Sequence, residues 1–195
     1  MAQTQENAEK QSPYLAGKLL IAMPGMDDRR FEKTVIYLCV HNADGAMGLV
    51  LNRTLDEVSF DGLLEQMKIE VAHPSENIAV HFGGPVESER GFVLHSPDYM
   101  RDSTMVVDSA VAMTATLDVL RAIAEGHGPK NKVFAVGYTG WGPGQLDREL
   151  LDNGWMAVDA DTTLVFGDDQ DTKWERAFAK IGVDVRMLSE YAGHA

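Results

Sequence analysis

A chain of 195 residues is short enough to be served by one hydrophobic core, and 45% hydrophobic with 24% charged residues is the make-up of a globular domain, not of a disordered or fibrous chain. Thirty acidic against 17 basic side chains leave a formal charge of −13, which repels a phosphate backbone; with no basic arm in the chain, direct nucleic-acid binding is disfavoured. The single cysteine, Cys39, excludes an internal disulfide, the polar stretch Met1–Ser12 lacks a secretory apolar core, and no apolar run is long enough to span a bilayer, so a cytoplasmic protein without a membrane partner is expected.

Residues 1–13 show no apolar periodicity and are expected to form a flexible tail, leaving 14–195 as one domain. Leu15 to Met23 reads as a buried strand, and Thr34 to His41 with Ala46 to Leu51 as a hairpin turned by Asn42-Ala43-Asp44-Gly45. Ser59 caps a short helix whose face is Phe60, Leu63, Leu64 and Met67. Ile78 to Phe82 and Gly91 to His95 are two strands expected to pair, and Thr104 to Val107 is another. Thr114 to Glu125 reads as a helix stopped by Gly126. Lys132 to Tyr138 is a buried strand leading through a glycine-rich loop, Gly137 to Gln145, into a helix that starts near Pro143 and ends at Asn153-Gly154. Trp155 to Val158 and Leu164 to Phe166 read as short strands, and Thr172 with Glu175 forms a capping box for a last helix carrying Trp174, Phe178 and Ile181. Hairpins interleaved with about four helices give an α/β fold of the mixed α+β kind, not a doubly wound parallel sheet.

Five blocks in fixed order carry a family likeness: Gly17 to Asp27 with Phe31, Ile36 to His41 leading into Gly45 to Arg53, Gly83-Gly84-Pro85-Val86, Gly91 to His95, and Gly137 to Leu146 with Asn153 and Trp155. Over residues 14–190 the chain resembles the AlgH/YqgE family of bacterial proteins. That resemblance implies a bent, bifurcated mixed sheet forming a pseudo-barrel flanked by helices. It implies little about activity, although some members carry a transcriptional-regulator label that rests on phenotype.

Several residues are candidates for chemistry. Cys39 and His41 stand two apart in one strand, so both project from the same face, about 7 Å apart, and a lowered thiol pKa would make Cys39 a nucleophile or redox sensor, with His41 or His95 assisting. His41, His81 and His95 could offer nitrogen ligands, yet no tight ligand spacing supports a metal, and no metal or other cofactor is expected. The glycine-rich stretches could bring backbone close to a ligand, which makes Gly83, Gly84, Gly140, Trp141 and Gly144 the candidate binding residues; the second stretch has strand–loop–helix topology suited to an anion but lacks the P-loop lysine. Asp168, Asp169 and Asp171 lack the spacing of a calcium loop and read as helix-start charges. No complete catalytic constellation is present, so the expectation leans away from an enzyme and towards a regulatory or adaptor protein that binds a protein or small-molecule partner. The alternatives are thiol chemistry at Cys39 and transcriptional regulation without a recognisable DNA reader.

Overall fold

The computed structural model describes residues 14–71, 77–185 and 187; the expected tail at 1–13 lies outside them. The strands are β1 (Lys18–Ala22), β2 (Val35–Asn42), β3 (Gly45–Val50), β4 (Val80–Phe82), β5 (Val86–His95), β6 (Thr104–Val106), β7 (Ala112–Thr114), β8 (Lys132–Trp141) and β9 (Trp155–Asp159). Between them lie α1 (Phe60–Gln66), α2 (Leu117–Ala124), α3 (Gln145–Leu151), α4 (Thr162–Phe166), α5 (Lys173–Ala179) and a 3-10 turn at Arg29–Phe31.

All nine strands belong to one sheet that curls into a half-barrel in the order β6-β7-β5-β8-β3-β2-β1-β9, with β4 paired to β8 off that path. Every pairing is antiparallel except β4 with β8. The expected pairing of Ile78–Phe82 with Gly91–His95 does not occur. Both strands lie against the same stretch of β8, Phe134 to Val136, on its opposite edges. The edge that takes β4 takes β3 further along, at Thr139 to Trp141, and Val50 N–H closes the gap to the Gly83 carbonyl at 2.9 Å. The sheet therefore forks at the end of β4, and the backbones meet so closely that a Cβ on Gly83 would sit 2.2 Å from the Gly137 oxygen. Gly84, at φ +154°, would meet Tyr138 at the same distance. The fork requires bare backbone at both positions.

Alternation along the strands supplies apolar residues to both faces. Leu19, Ile21, Tyr37, Leu49, Leu94 and Ala135 face a core closed by Val165 of α4 and by Trp174, Ala177 and Phe178 of α5. The opposite face is divided: Val80, Val93 and Phe134 pack under α1 and α2 through Phe60, Leu64, Val119 and Ile123. Leu20, Ala22, Ile36, Leu38 and Val50 pack under α3 with Trp141, Leu146 and Trp155. Each such side chain, fully removed from water, contributes about 1.5–3 kcal/mol, which is why helices of five to eight residues with little stability of their own persist here. One polar tie crosses the first core: the Tyr37 hydroxyl donates to Asp108 Oδ2 at 2.6 Å, while Asp108 Oδ1 accepts from the Ala110 and Val111 N–H groups.

Four sequence expectations are corrected by these contacts. Leu164–Phe166 is helical because Asp161 caps the segment, its Oδ1 accepting from Leu164 N–H at 2.9 Å, and this gives five named helices among the described residues where about four were expected. Thr114 ends β7, so the helix expected from Thr114 begins at Leu117. The Thr172–Glu175 capping box is not formed; Asp169 instead accepts from both the N–H and the hydroxyl of Thr172. The expected loop from Gly137 is strand as far as Trp141, leaving only Gly142-Pro143-Gly144 as the turn into α3.

Candidate functional site

That turn positions a side-chain cluster built around one carboxylate, Glu149. Gly144 takes φ +65°, which starts α3 at once, and the Gln145 side chain accepts from Gly142 N–H at 3.0 Å. Gln145 and Glu149 stand one helical turn apart, so Gln145 Nε2 donates to Glu149 Oε1 at 2.8 Å. The other oxygen of Glu149 accepts from two indoles, Trp141 Nε1 at 2.9 Å and Trp155 Nε1 at 2.8 Å. One helical carboxylate thus ties the end of β8 to the start of β9. The two indoles meet edge to face with centroids 5.9 Å apart, and Phe31 packs on Trp155 in the same manner at 5.7 Å.

A cleft of about 450 Å³ opens over this floor. The segment from Pro24 to Asp28, anchored where Met23 N–H donates to the Gly154 carbonyl at 3.0 Å, forms one wall, and Pro85 with Val86 forms the other. Asp27, Asp28, Glu149 and Asp152 line it against a single cation, Arg30. Arg30 is already engaged: its Nε lies 3.0 Å from Asp28 Oδ1 and its Nη2 2.7 Å from Oδ2, a bidentate pair that holds the Asp28 carboxyl below its usual range. Thr139 is buried with its hydroxyl donating to the Gly83 carbonyl, and the lining holds no cysteine, histidine, serine or lysine.

The sequence candidates divide between this cleft and positions away from it. Gly140 and Trp141 line it. Gly83 and Gly84 belong to the sheet fork behind it, and Gly144 to the turn into α3. The anion-cradle reading fails on local structure, because the supposed loop is strand and Gly142 N–H is already accepted by Gln145.

The proposed partners of Cys39 are also separated. Leu38 pairs with Gly48 and Val40 with Met47, so Cys39 is the extra residue of a β-bulge. The bulge reverses the alternation after it: Cys39 packs in the core under α5, whereas His41 lies on the other face, against the Tyr14 ring and 3.7 Å from Asp147. Cys39 is 4% exposed, and burial pushes its thiol pKa up, the opposite of what a nucleophile needs. The three candidate histidines are engaged in the structure. His41 Nδ1 accepts from Leu15 N–H, His81 Nδ1 donates to the Phe134 carbonyl, and fully buried His95 donates from Nδ1 to the Ser96 carbonyl and accepts at Nε2 from the Thr114 hydroxyl. Among the described residues, no three His, Cys, Asp or Glu side chains converge as a metal set.

Two residues escaped the sequence reading. In the sequence Glu149 is one acid among several on its helix, and the i, i+4 step from Gln145 is the one local signal of its role. Lys173, in the first turn of α5, is fully buried with Nζ donating to the Gly167 carbonyl at 2.9 Å, and burial pulls its pKa down to about 8.

An AlgH-like family model matches residues 19–186. A UPF0301 protein of Rhodospirillum rubrum is 54% identical over 187 residues, covering 96% of this chain and 97% of the relative. Another from Bradyrhizobium diazoefficiens is 52% identical, covering 93% and 89%. The solution structure of the AlgH protein from Pseudomonas aeruginosa superposes with a TM-score of 0.77 at 40% identity over the whole of both chains. A Corynebacterium diphtheriae protein, 20% identical, shares the fold with a TM-score of 0.70 over 88% of this chain and 89% of its own. Motif, fold and relatives agree, and the chain belongs to the AlgH-like family.

Proposed function

We propose that this protein is a non-catalytic binding protein, acting as a regulator or adaptor, and that a small ligand seats in the cleft over Trp141 and Trp155. The observation that carries this reading is the construction of the cleft. Three of the five sequence blocks, entering as Pro24–Phe31, Pro85–Val86 and Thr139–Gln145 with Asn153 and Trp155, meet there around one anchored aromatic floor. A volume of about 450 Å³ lies in the range of sites that take small molecules.

The committed side chains support binding over catalysis. Glu149 holds three donors and Asp28 is saturated by Arg30, so neither is poised to move a proton, and no nucleophile–base pair lines the cleft. The test is thermal unfolding of the full chain against a chemically mixed panel of amines, amino acids, sugars, carboxylates and nucleotides, run beside Val86→Trp, which fills the cleft from its half-exposed rim. A compound present at a hundred times its Kd raises Tm of the native protein by about 5 °C or more, and the shift is lost in the variant. A panel in which no compound separates the two proteins counts against the reading.

A further inference from the structure

The chemistry of the cleft goes one step further than its shape. We propose that its occupant is a small organic cation, bearing a guanidinium or primary ammonium group, seated between the aromatic floor and the carboxylates of Asp27, Glu149 and Asp152. This rests on the reading of the cleft as a binding site and specifies what that site takes.

Three features lead to it. First, the lining carries four carboxylates and one guanidinium, and that guanidinium is taken by Asp28, so no basic side chain of the lining remains for Asp27, Glu149 and Asp152. An anionic ligand would meet this field as repulsion, whereas a cation is drawn in and loses less by leaving water. Second, both indole N–H groups point at Glu149 and donate there. The carboxylate therefore lies against the ring edges in a partly dry setting, and Phe31, whose ring face attracts positive charge, packs on Trp155. Third, the mouth of the cleft already holds a guanidinium by this chemistry: Arg30 makes its bidentate pair with Asp28 while its guanidinium carbon sits 5.8 Å from the centre of the Phe31 ring. The walls thus combine, for a ligand, the same two elements that bind Arg30 within the chain. A volume of about 450 Å³ suits a molecule the size of a diamine or a guanidino-amine.

Three indole N–H protons make the test specific. Those of Trp141 and Trp155 donate to Glu149 in the cleft, and that of Trp174 donates to the Ala22 carbonyl under α5 and serves as the internal control. The full chain, labelled with nitrogen-15, is titrated with agmatine and with spermidine, and in parallel with glutarate and with a neutral diol of similar length. The expected result is saturable movement of the Trp141 and Trp155 signals with the amines and none at Trp174. The doubly substituted Asp27→Asn, Asp152→Asn protein should bind roughly ten-fold more weakly, because each exposed charge contributes a few-fold. Movement of the same two signals by glutarate or the diol but by neither amine overturns the cation assignment and leaves the binding site standing. Equal amine binding by the doubly substituted protein means only general attraction to a chain of charge −13, and it too overturns the proposal. If no probe, and no member of the broader panel, moves either cleft indole, the site itself is refuted along with its ligand class.

Discussion

Replacing Glu149 by alanine probes the part of the structure on which the cleft depends. The side chain is half-buried and accepts two indole N–H groups at 2.9 and 2.8 Å, from tryptophans that are 6% and 4% exposed. A hydrogen bond to a charged group contributes about 1.5–3 kcal/mol, and a buried donor left without an acceptor costs a similar amount. Water entering through the open cleft can hydrate part of what is lost, so the lower end applies to each indole and the expected sum is about 3 kcal/mol. The third bond, from Gln145, is exposed and adds little. For a domain of this size that loss lowers Tm by about 6–12 °C. Glu149→Gln keeps one oxygen able to accept and loses the charge, so its cost should be about 1 kcal/mol. Urea unfolding followed by far-ultraviolet circular dichroism gives both numbers, and the indole proton spectrum should change at Trp141 and Trp155 with Trp174 unmoved. A Glu149→Ala protein within about 0.5 kcal/mol of the native one would refute the reasoning, since it would show that the two indoles are hydrated in the native state too.

Further outcomes follow from the same contacts. Lys173 is held in the fold with its pKa lowered to about 8 from an ordinary 10.5, so between those values the unfolded chain binds the proton and the native chain does not, and stability rises with pH across that window. The native protein should therefore gain on Lys173→Met by on the order of 3 kcal/mol between pH 8 and pH 10.5, measured as the difference between their unfolding free energies; a constant difference contradicts the burial of a charged lysine. Native Cys39 should react with an alkylating reagent only as fast as the protein opens, the rate climbing with urea, whereas a fast reaction without denaturant would mean an exposed thiolate. Gly84→Ala should cost more than about 3 kcal/mol or abolish folding, because its Cβ meets the Tyr138 backbone at 2.2 Å, and a folded protein of native stability would show that the fork can spread.

Local periodicity made most of the elements legible, and contacts distant in sequence made up the remainder. The β2–β3 hairpin was readable because its turn chemistry sits between two apolar runs, and α1 because Ser59 accepts from Gly62 N–H just before an amphipathic face. Leu164–Phe166 misled because three apolar residues have no period of their own, and the deciding signal, Asp161 as a cap, lies outside the run. The pairing of β4 was invisible because its partner β8 stands over 50 residues away, and nothing local distinguishes a parallel partner from the neighbouring β5.

At the candidate site, Gly140 and Trp141 line the cleft, whereas the glycines at 83, 84 and 144 answer to backbone crossings and a tight turn. The Cys39–His41 pairing failed at a single inserted residue, since one bulge turns a shared face into opposite faces. Glu149 could not be singled out from sequence, because its significance comes from two tryptophans on different strands reaching the same oxygen.

Native mass spectrometry of the protein, gently purified from its own cells beside Val86→Trp, tests the central claim most directly. An occupied cleft predicts a reproducible added mass on the native chain that the variant lacks. Identical spectra from the two proteins, bare or equally loaded, would contradict a ligand held over Trp141 and Trp155.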